Sequence, residues 1–192
     1  MATSFYLFVF VNKLERRAAT DPLTGLLNRT SLERTVGQMP PLAKPQDGAA
    51  ALFVIDLDGF KQVNDSFGHS AGDDLLQQFA RELVQLSRRG DAVARLGGDE
   101  FVVFARQVAG KEGATVIADR IHAATESIRL AAGNPVSVSA SIGVYLRSGA
   151  RRAHALDMTR AFRLADYAMY TAKARGRRQT VFADELTPVE ST

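Results

Sequence analysis

The sequence predicts an α/β (α+β) fold, a single central mixed sheet flanked by helices, with one tight turn carried in a β-hairpin. Three observations lead there. Ala49 to Ile55 is a short apolar run ending in Asp56-Leu57-Asp58, the pattern of a buried central strand. Ala92 to Leu96 and Phe101 to Ala105 flank Gly97-Gly98, which is a hairpin signal. Between and after these runs, apolar residues recur at helical spacing.

In chain order, a helical pattern runs from Phe5 through Leu14 and Ala18, and Asp21-Pro22 ends it because proline restricts the residue before it. Asn28 to Met39 reads as a short helix, and the breaker-rich stretch from Pro40 to Gly48 as a loop. After the central strand, Phe60 and Lys61 begin a short helix. Leu75, Leu76, Phe79, Ala80, Leu83, Val84 and Leu86 define an amphipathic helix from about Gly72 to Arg88. Ile117, Ile121, Ala124 and Ile128 form the stripe of another. Val136 to Val144 alternates and reads as a strand; Leu156 to Arg175 is a final long helix, followed by a short strand at Thr180 to Phe182. No repeat or internal linker divides this series, so residues 19–183 form one domain. Residues 184–192 are read as a flexible tail, and residues 1–18 as a helical stub or linker from a sensor or membrane segment missing from this chain.

Composition narrows the chemistry. The 192 residues include no cysteine, so a thiolate metal site and a disulfide framework are both excluded. The widely spaced His69, His122 and His154 argue against zinc, leaving oxygen ligands and hence magnesium, manganese or calcium. A net charge of +3 is too small to indicate a nucleic-acid polymer. The basic residues nevertheless cluster at Lys173, Arg175, Arg177 and Arg178, as a solvated surface, a nucleic-acid patch or a phosphate clamp would. The apolar stretch Phe5 to Val11 is too short to span a bilayer core, which needs about 20 residues.

Two carboxylates are placed unusually. Asp56 ends a buried strand and Asp99 lies in the hairpin turn; if the hairpin lies beside that strand, both meet at one sheet edge. Acids gathered there repel one another unless a divalent cation neutralises them. Alternatively, Asp56 and Asp58 cap the next helix and Asp99 is only a turn residue. Gly97 and Gly98 remove side chains where the acids point, so a bulky ligand can approach the backbone. Glu100 would sit beside the metal, binding a second ion or helping remove a proton from an attacking hydroxyl.

Arg95-Leu96-Gly97-Gly98-Asp99-Glu100-Phe101 resembles the signature of the GGDEF family of diguanylate cyclases. Asp21-Pro22-Leu23-Thr24-Gly25-Leu26-Leu27-Asn28-Arg29 is similar to the family's opening motif, and Asp56 through His69 with Gly72-Asp73 to its metal and nucleotide segment. Ala165 to Lys173 with Gly176-Arg177 resembles its closing helix. The resemblance covers about Ala19 to Phe182, with all blocks in order, and implies a nucleotidyl-cyclase or palm-like sheet.

It further implies magnesium, or manganese, bound by Asp56, the Leu57 carbonyl and Asp99, with Glu100 beside them. Guanine would lie against Asn64 and Asp73, and an aspartate accepting from guanine's ring N–H and amine favours GTP over ATP. Without the other motifs, Asp73-Asp74 would read as a helix cap. Phosphate oxygens would meet the N-terminus at Phe60 and Lys61. Lys173 and Arg177, four apart at a helix end, would clamp the terminal phosphates, whereas Arg175 and Arg178 have no such assignment and read as surface charge. Two such domains, each with one GTP, would face each other as a homodimer and form cyclic di-GMP.

Arg88-Arg89-Gly90-Asp91 contains the family's RxxD product-inhibition pattern, and Arg120 matches a further position for the same ligand. Asp91 lies six positions before Gly97, and six residues of strand span about 20 Å. Bound product is therefore expected to inhibit noncompetitively. The competing readings are a catalytically weak domain sensing cyclic di-GMP or GTP, a dimerisation module, and an ATP cyclase or polymerase-like palm. The intact turn opposes the sensor reading, and Asp73 with the complete motif series opposes the last. The expected location is cytoplasmic, with a possible tether to the inner membrane in a longer parent.

Overall fold

The computed structural model of the chain describes residues 19–40, 49–147 and 157–186. The expected N-terminal helix from Phe5 to Ala18 and the loop at 41–48 lie outside them.

Helix α1 (Arg29–Gln38) starts after Asn28, whose side-chain oxygen accepts the Ser31 N–H at 2.9 Å. Strand β1 (Ala49–Asp58) lies at the centre, buried along almost its whole length. It runs antiparallel to β3 (Glu100–Val108) on one side and to β6 (Ser139–Arg147) on the other. β2 (Ala92–Gly97) flanks β3, and β7 (Gln179–Phe182) runs parallel to β6, which gives the order β2-β3-β1-β6-β7. Helices α2 (Phe60–Phe67), α3 (His69–Leu86), α4 (Gly110–Ser127) and α5 (Met158–Ala174) complete the expected mixed sheet with flanking helices.

Strand alternation sorts the core into two layers. Phe53, Ile55 and Leu57 join Phe79, Leu83 and Ile121 of α3 and α4 on one face. There Phe79 meets Phe101 edge to face, with centroids 5.0 Å apart. Leu52 and Val54 join Leu32 of α1 and Phe162, Ala165 and Met169 of α5 on the other. The same period carries Asp56 and Asp58 onto the α5 side.

Several boundaries differ from expectation. Helix α3 begins at His69 rather than Gly72, and ends at Leu86 rather than Arg88. Gly72 is not a helix breaker: it is buried inside α3, and the break before the helix falls at Gly68, with φ of 81°. The strand expected from Val136 begins at Ser139, because β1 supplies no partner beyond the Asp58–Ser139 pair. The chain before it instead forms a small hairpin, β4 (Leu130–Ala131) with β5 (Asn134–Pro135), extended by the Val136 N–H donating to the Arg129 carbonyl. Finally, Asp184 to Leu186 are part of the fold. They close a 3₁₀ turn at Ala183–Leu186, where Glu185 accepts from Lys111 Nζ at 2.7 Å.

Candidate active site

The hairpin does lie beside the central strand. Glu100 stands directly opposite Asp56 across β1 and β3, and the Leu57 N–H donates to the Asp99 carbonyl at 3.3 Å. Cross-strand partners share a face, so Asp56 and Glu100 project to the same side as α5. Asp56 is only 5% exposed, while Asp99 and Glu100 are half-buried. Burial pushes the Asp56 carboxyl up, and Asp99 and Asp58 add to the rise. The ammonium of Lys173, donating to Asp56 Oδ2 at 2.6 Å, opposes it, and the outcome is a pKa of about 6.

The sign of the linked stability follows. A carboxyl raised from 3.8 to about 6 on folding contributes stability that is full below pH 3.8 and lost as pH rises through 6. Without divalent metal, Asp56→Asn should therefore gain stability relative to the parent chain between pH 4 and pH 7. Urea midpoints at those two pH values check this; a difference that does not change with pH would refute it.

Asp58 has a different role from Asp56. Its carboxylate accepts from Ser139 Oγ at 2.9 Å, from Ser141 Oγ at 2.8 Å and from the Arg178 N–H at 3.1 Å. It thus pins β6 and the approach to β7, and neither Asp56 nor Asp58 caps α2, whose N-cap is Gly59. No side chain caps that N-terminus, so the amides at Phe60 and Lys61 begin a helix open to an anion.

Lys173 and Arg177 do converge, but not as helical neighbours. Helix α5 ends at Ala174, and Arg177 lies beyond it in a turn, with φ of 63°. Lys173 reaches Asp56, and Arg177 Nε lies 3.8 Å from Asp58 Oδ1. The two cations therefore close over the acidic end of β1 from the loop side.

The turn itself needs its glycines. Gly97 and Gly98 have φ of 143° and 53°, and a methyl group on either would meet nothing within 4 Å. Backbone conformation, with open space above it, is thus the reason for glycine here. The Arg95 side chain fixes the turn, a role the sequence reading did not assign. Its Nε and Nη2 donate to the Gly98 carbonyl at 3.0 and 2.7 Å, while Nη1 donates to both oxygens of Asp21. Asp21 also accepts from the Thr24 N–H and hydroxyl. Burial raises the Asp21 pKa, but those hydrogen bonds and Arg95 outweigh it and hold the carboxyl below its ordinary value. The opening Asp-Pro-Leu-Thr segment is thereby tied to the turn. An Arg and Asp 74 positions apart leave no periodic signal by which to find the pair.

Asn64 lies on α2 and Asp73 on α3, and the Asn64 side chain packs on Gly72 of α3. Asn64 Oδ1 is buried with no hydrogen-bond partner. A Cβ on Gly72 would stand 2.0 Å from that oxygen, so glycine leaves it room. Asp73 is exposed and sits inside α3 rather than at its cap. An unpaired buried acceptor is costly unless a ligand supplies the donor.

Arg88 and Arg120 are exposed, the first just beyond α3 and the second on α4. Asp91 uses both carboxylate oxygens on backbone, accepting the Arg88 N–H at 2.8 Å and the Arg106 N–H at 3.1 Å. It therefore shapes the turn before β2. Among the described residues no group of three or more His, Asp or Glu side chains is gathered as a metal cluster. A cation at Asp56 and Asp99 would need a backbone carbonyl as well. The donors are all oxygen, which suits a hard divalent ion, and the Lys173 ammonium on Asp56 offsets the charge that such an ion would offset in its place.

Comparison with known proteins finds a matching family and similar chains. The family profile described as "Diguanylate cyclase, GGDEF domain" matches residues 18–179. The chain is 40% identical over 169 residues to the diguanylate cyclase TpbB of Pseudomonas aeruginosa, covering 86% of this chain and 38% of that protein. It is 37% identical over 163 residues to the diguanylate cyclase DgcP of the same species, covering 84% of this chain and 23% of that protein. The chain thus spans well under half the length of these relatives. The structure of an N-terminally truncated TpbB of Pseudomonas aeruginosa comprising only the GGDEF domain superposes with a TM-score of 0.74 at 38% identity, covering 85% of this chain and 94% of that one.

Proposed function

The chain belongs to the diguanylate cyclase GGDEF domain family, and on that premise we propose that it condenses two GTP into cyclic di-GMP and two pyrophosphates. The observation that carries this reading is the meeting of Asp56 and Glu100, side by side on the sheet, with Lys173 on Asp56 and Arg177 beside Asp58. Acids to serve a metal and cations to hold phosphates are what nucleotidyl transfer requires. The carboxylates of Asp56 and Asp99 and the Leu57 carbonyl would hold magnesium or manganese, with Glu100 alongside; once bound, the ion offsets charge at phosphorus.

The chain's own residues do the rest. Asn64 and Asp73 accept from guanine, the buried Asn64 oxygen thereby gaining the donor it lacks. The α2 N-terminus at Phe60 and Lys61, and the bare backbone at Gly97 and Gly98, leave room for the phosphates. Lys173 passes from Asp56 to the terminal phosphates together with Arg177. The 3′-hydroxyl oxygen of each GTP bonds in turn to the α-phosphorus of the other. One pyrophosphate leaves at each of the two steps, the second step closes the ring, and Glu100 takes the hydroxyl proton. Each domain holds one nucleotide, so activity requires a facing homodimer, and the reaction belongs in the cytoplasm. No helix among the described residues is long and apolar enough to cross a membrane.

The test is to incubate concentrated protein with GTP and magnesium and look for cyclic di-GMP. No product even after enforced dimerisation would favour a sensor instead. Gly72→Ala probes the base site: the atoms nearest its Cβ are side-chain atoms of Asn64 and Phe60, so the helix should stand while the Asn64 amide is driven aside. GTP affinity should fall about tenfold, the loss of one charged or well-placed hydrogen bond, with the melting temperature little changed. Unaltered GTP binding by calorimetry would remove Asn64 from the guanine site.

Product is proposed to bind at Arg88, Asp91 and Arg120 and to lock two domains apart. Because Asp91 also holds the turn, Arg88→Ala is the cleaner test. It should weaken noncompetitive inhibition by cyclic di-GMP at least tenfold, as loss of a bidentate guanidinium contact implies, with turnover retained. Inhibition that GTP competes away in the parent protein would overturn this assignment.

A further inference from the structure

The chain leaves α5 through a turn that its own residues do not favour. The Gly176 N–H donates to the Lys173 carbonyl at 3.3 Å and the Arg177 N–H to the Ala172 carbonyl at 3.0 Å, closing the helix end. Gly176, Arg177 and Arg178 then have φ of 110°, 63° and 49°. One glycine in that region is ordinary, but two successive arginines are not, since their Cβ atoms crowd the backbone. Such a conformation persists only where the surroundings impose it.

Four hydrogen bonds impose it. The Arg178 N–H donates to Asp58 Oδ2 at 3.1 Å. The Gln179 side-chain amide donates to the Ala172 and Arg177 carbonyls, both at 3.2 Å. Arg178 Nε donates to Glu126 Oε1 at 2.8 Å, on the last turn of α4. One helical turn earlier on α4, His122 Nε2 lies 3.0 Å from Thr180 Oγ1 in β7. Helix α4 thus grips the chain on the far side of the turn, and adjacent arginines diverge: Arg178 toward Glu126, Arg177 toward Asp58.

We propose that Glu126 and Arg178 are a positioning pair, an ion pair from α4 that holds the left-handed turn so that Arg177 faces the terminal phosphates of bound GTP. This rests on the phosphate role given to Arg177 above. Arg178 then has a task that basic clustering in the sequence does not disclose. The side chains are 68% and 36% exposed, so the pair is worth a modest factor rather than an essential one.

The experiment measures affinity for GTP and for GMP in Glu126→Gln, Arg178→Gln, the double variant and Arg177→Ala. GMP lacks the terminal phosphates and reports general damage. GTP affinity should fall about three- to fivefold in each pair variant, the range of a solvent-exposed ion pair, with GMP affinity unchanged. The KM for GTP should rise with kcat retained, and the double variant should be no worse than either single one. Parent-like GTP binding in both pair variants, with Arg177→Ala selectively weakened for GTP, would overturn the positioning role and leave the phosphate reading standing. Equal losses for GTP and GMP would overturn it too, as loosening of the whole site. An unchanged GTP to GMP ratio in Arg177→Ala would defeat the phosphate reading itself, and the pair's role with it.

Discussion

Replacing Glu100 with glutamine should cut cyclic di-GMP formation at least about 100-fold while leaving the domain folded and able to bind GTP. The magnitude is that of a lost proton acceptor, about 10² to 10⁴ in rate. The side chain keeps its shape, so the strand pairing of Glu100 with Asp56 survives. Like charges directly opposite on a sheet destabilise it, so removing one should hold or raise the melting temperature. The rate therefore falls with no loss of stability, which a merely structural residue would not show. Turnover within tenfold of the parent protein would exclude Glu100 from the chemistry.

Gly143→Ala should cost about 4 kcal/mol or more, or prevent folding. Gly143 lies in β6, opposite Val54, under helix α5. A Cβ there would stand 1.9 Å from the Ala165 carbonyl oxygen and 2.2 Å from the Met169 nitrogen, both backbone atoms of α5. No rotamer relieves a clash with backbone, so the helix must move from the sheet and open the layer built on Phe162, Ala165 and Met169. Overpacking usually costs about 1–3 kcal/mol, and a backbone collision belongs beyond that range. The contrast with Gly72→Ala is instructive, because there the obstacles are side-chain atoms. Urea denaturation of the two variants separates the cases, and a Gly143→Ala midpoint close to the parent's would refute the tight α5 contact.

Much of the fold was legible in the residues. Apolar β1, the hairpin across Gly97-Gly98 and the helical stripes each announce an element by periodicity, and the elements stand where they were expected. What failed was punctuation. Gly72 reads as a helix start because glycine usually breaks helices, yet here it lies within α3 so that Asn64 can pack on it. Val136 and Val138 alternate like strand residues and are buried, but the β1 ladder ends at Ser139. Lys173 and Arg177 were paired by helical spacing; they converge through a left-handed turn after the helix has ended.

Sequence by itself determined the chemistry available to this protein: oxygen ligands and no thiolate, acids at the end of a buried strand, a glycine turn, and basic residues near the C-terminus. It also determined the family, because the motif blocks lie in order along the chain. Tertiary structure alone decided which of these groups meet. It set Glu100 opposite Asp56, brought Lys173 onto Asp56, committed Asp58 to two serines and the Arg178 amide, and tied Asp21 to the turn through Arg95. Local periodicity records which face of its own element a residue occupies. Contacts across strands and helices depend on register and on the path of the connecting turns, and those are fixed only when the layers pack.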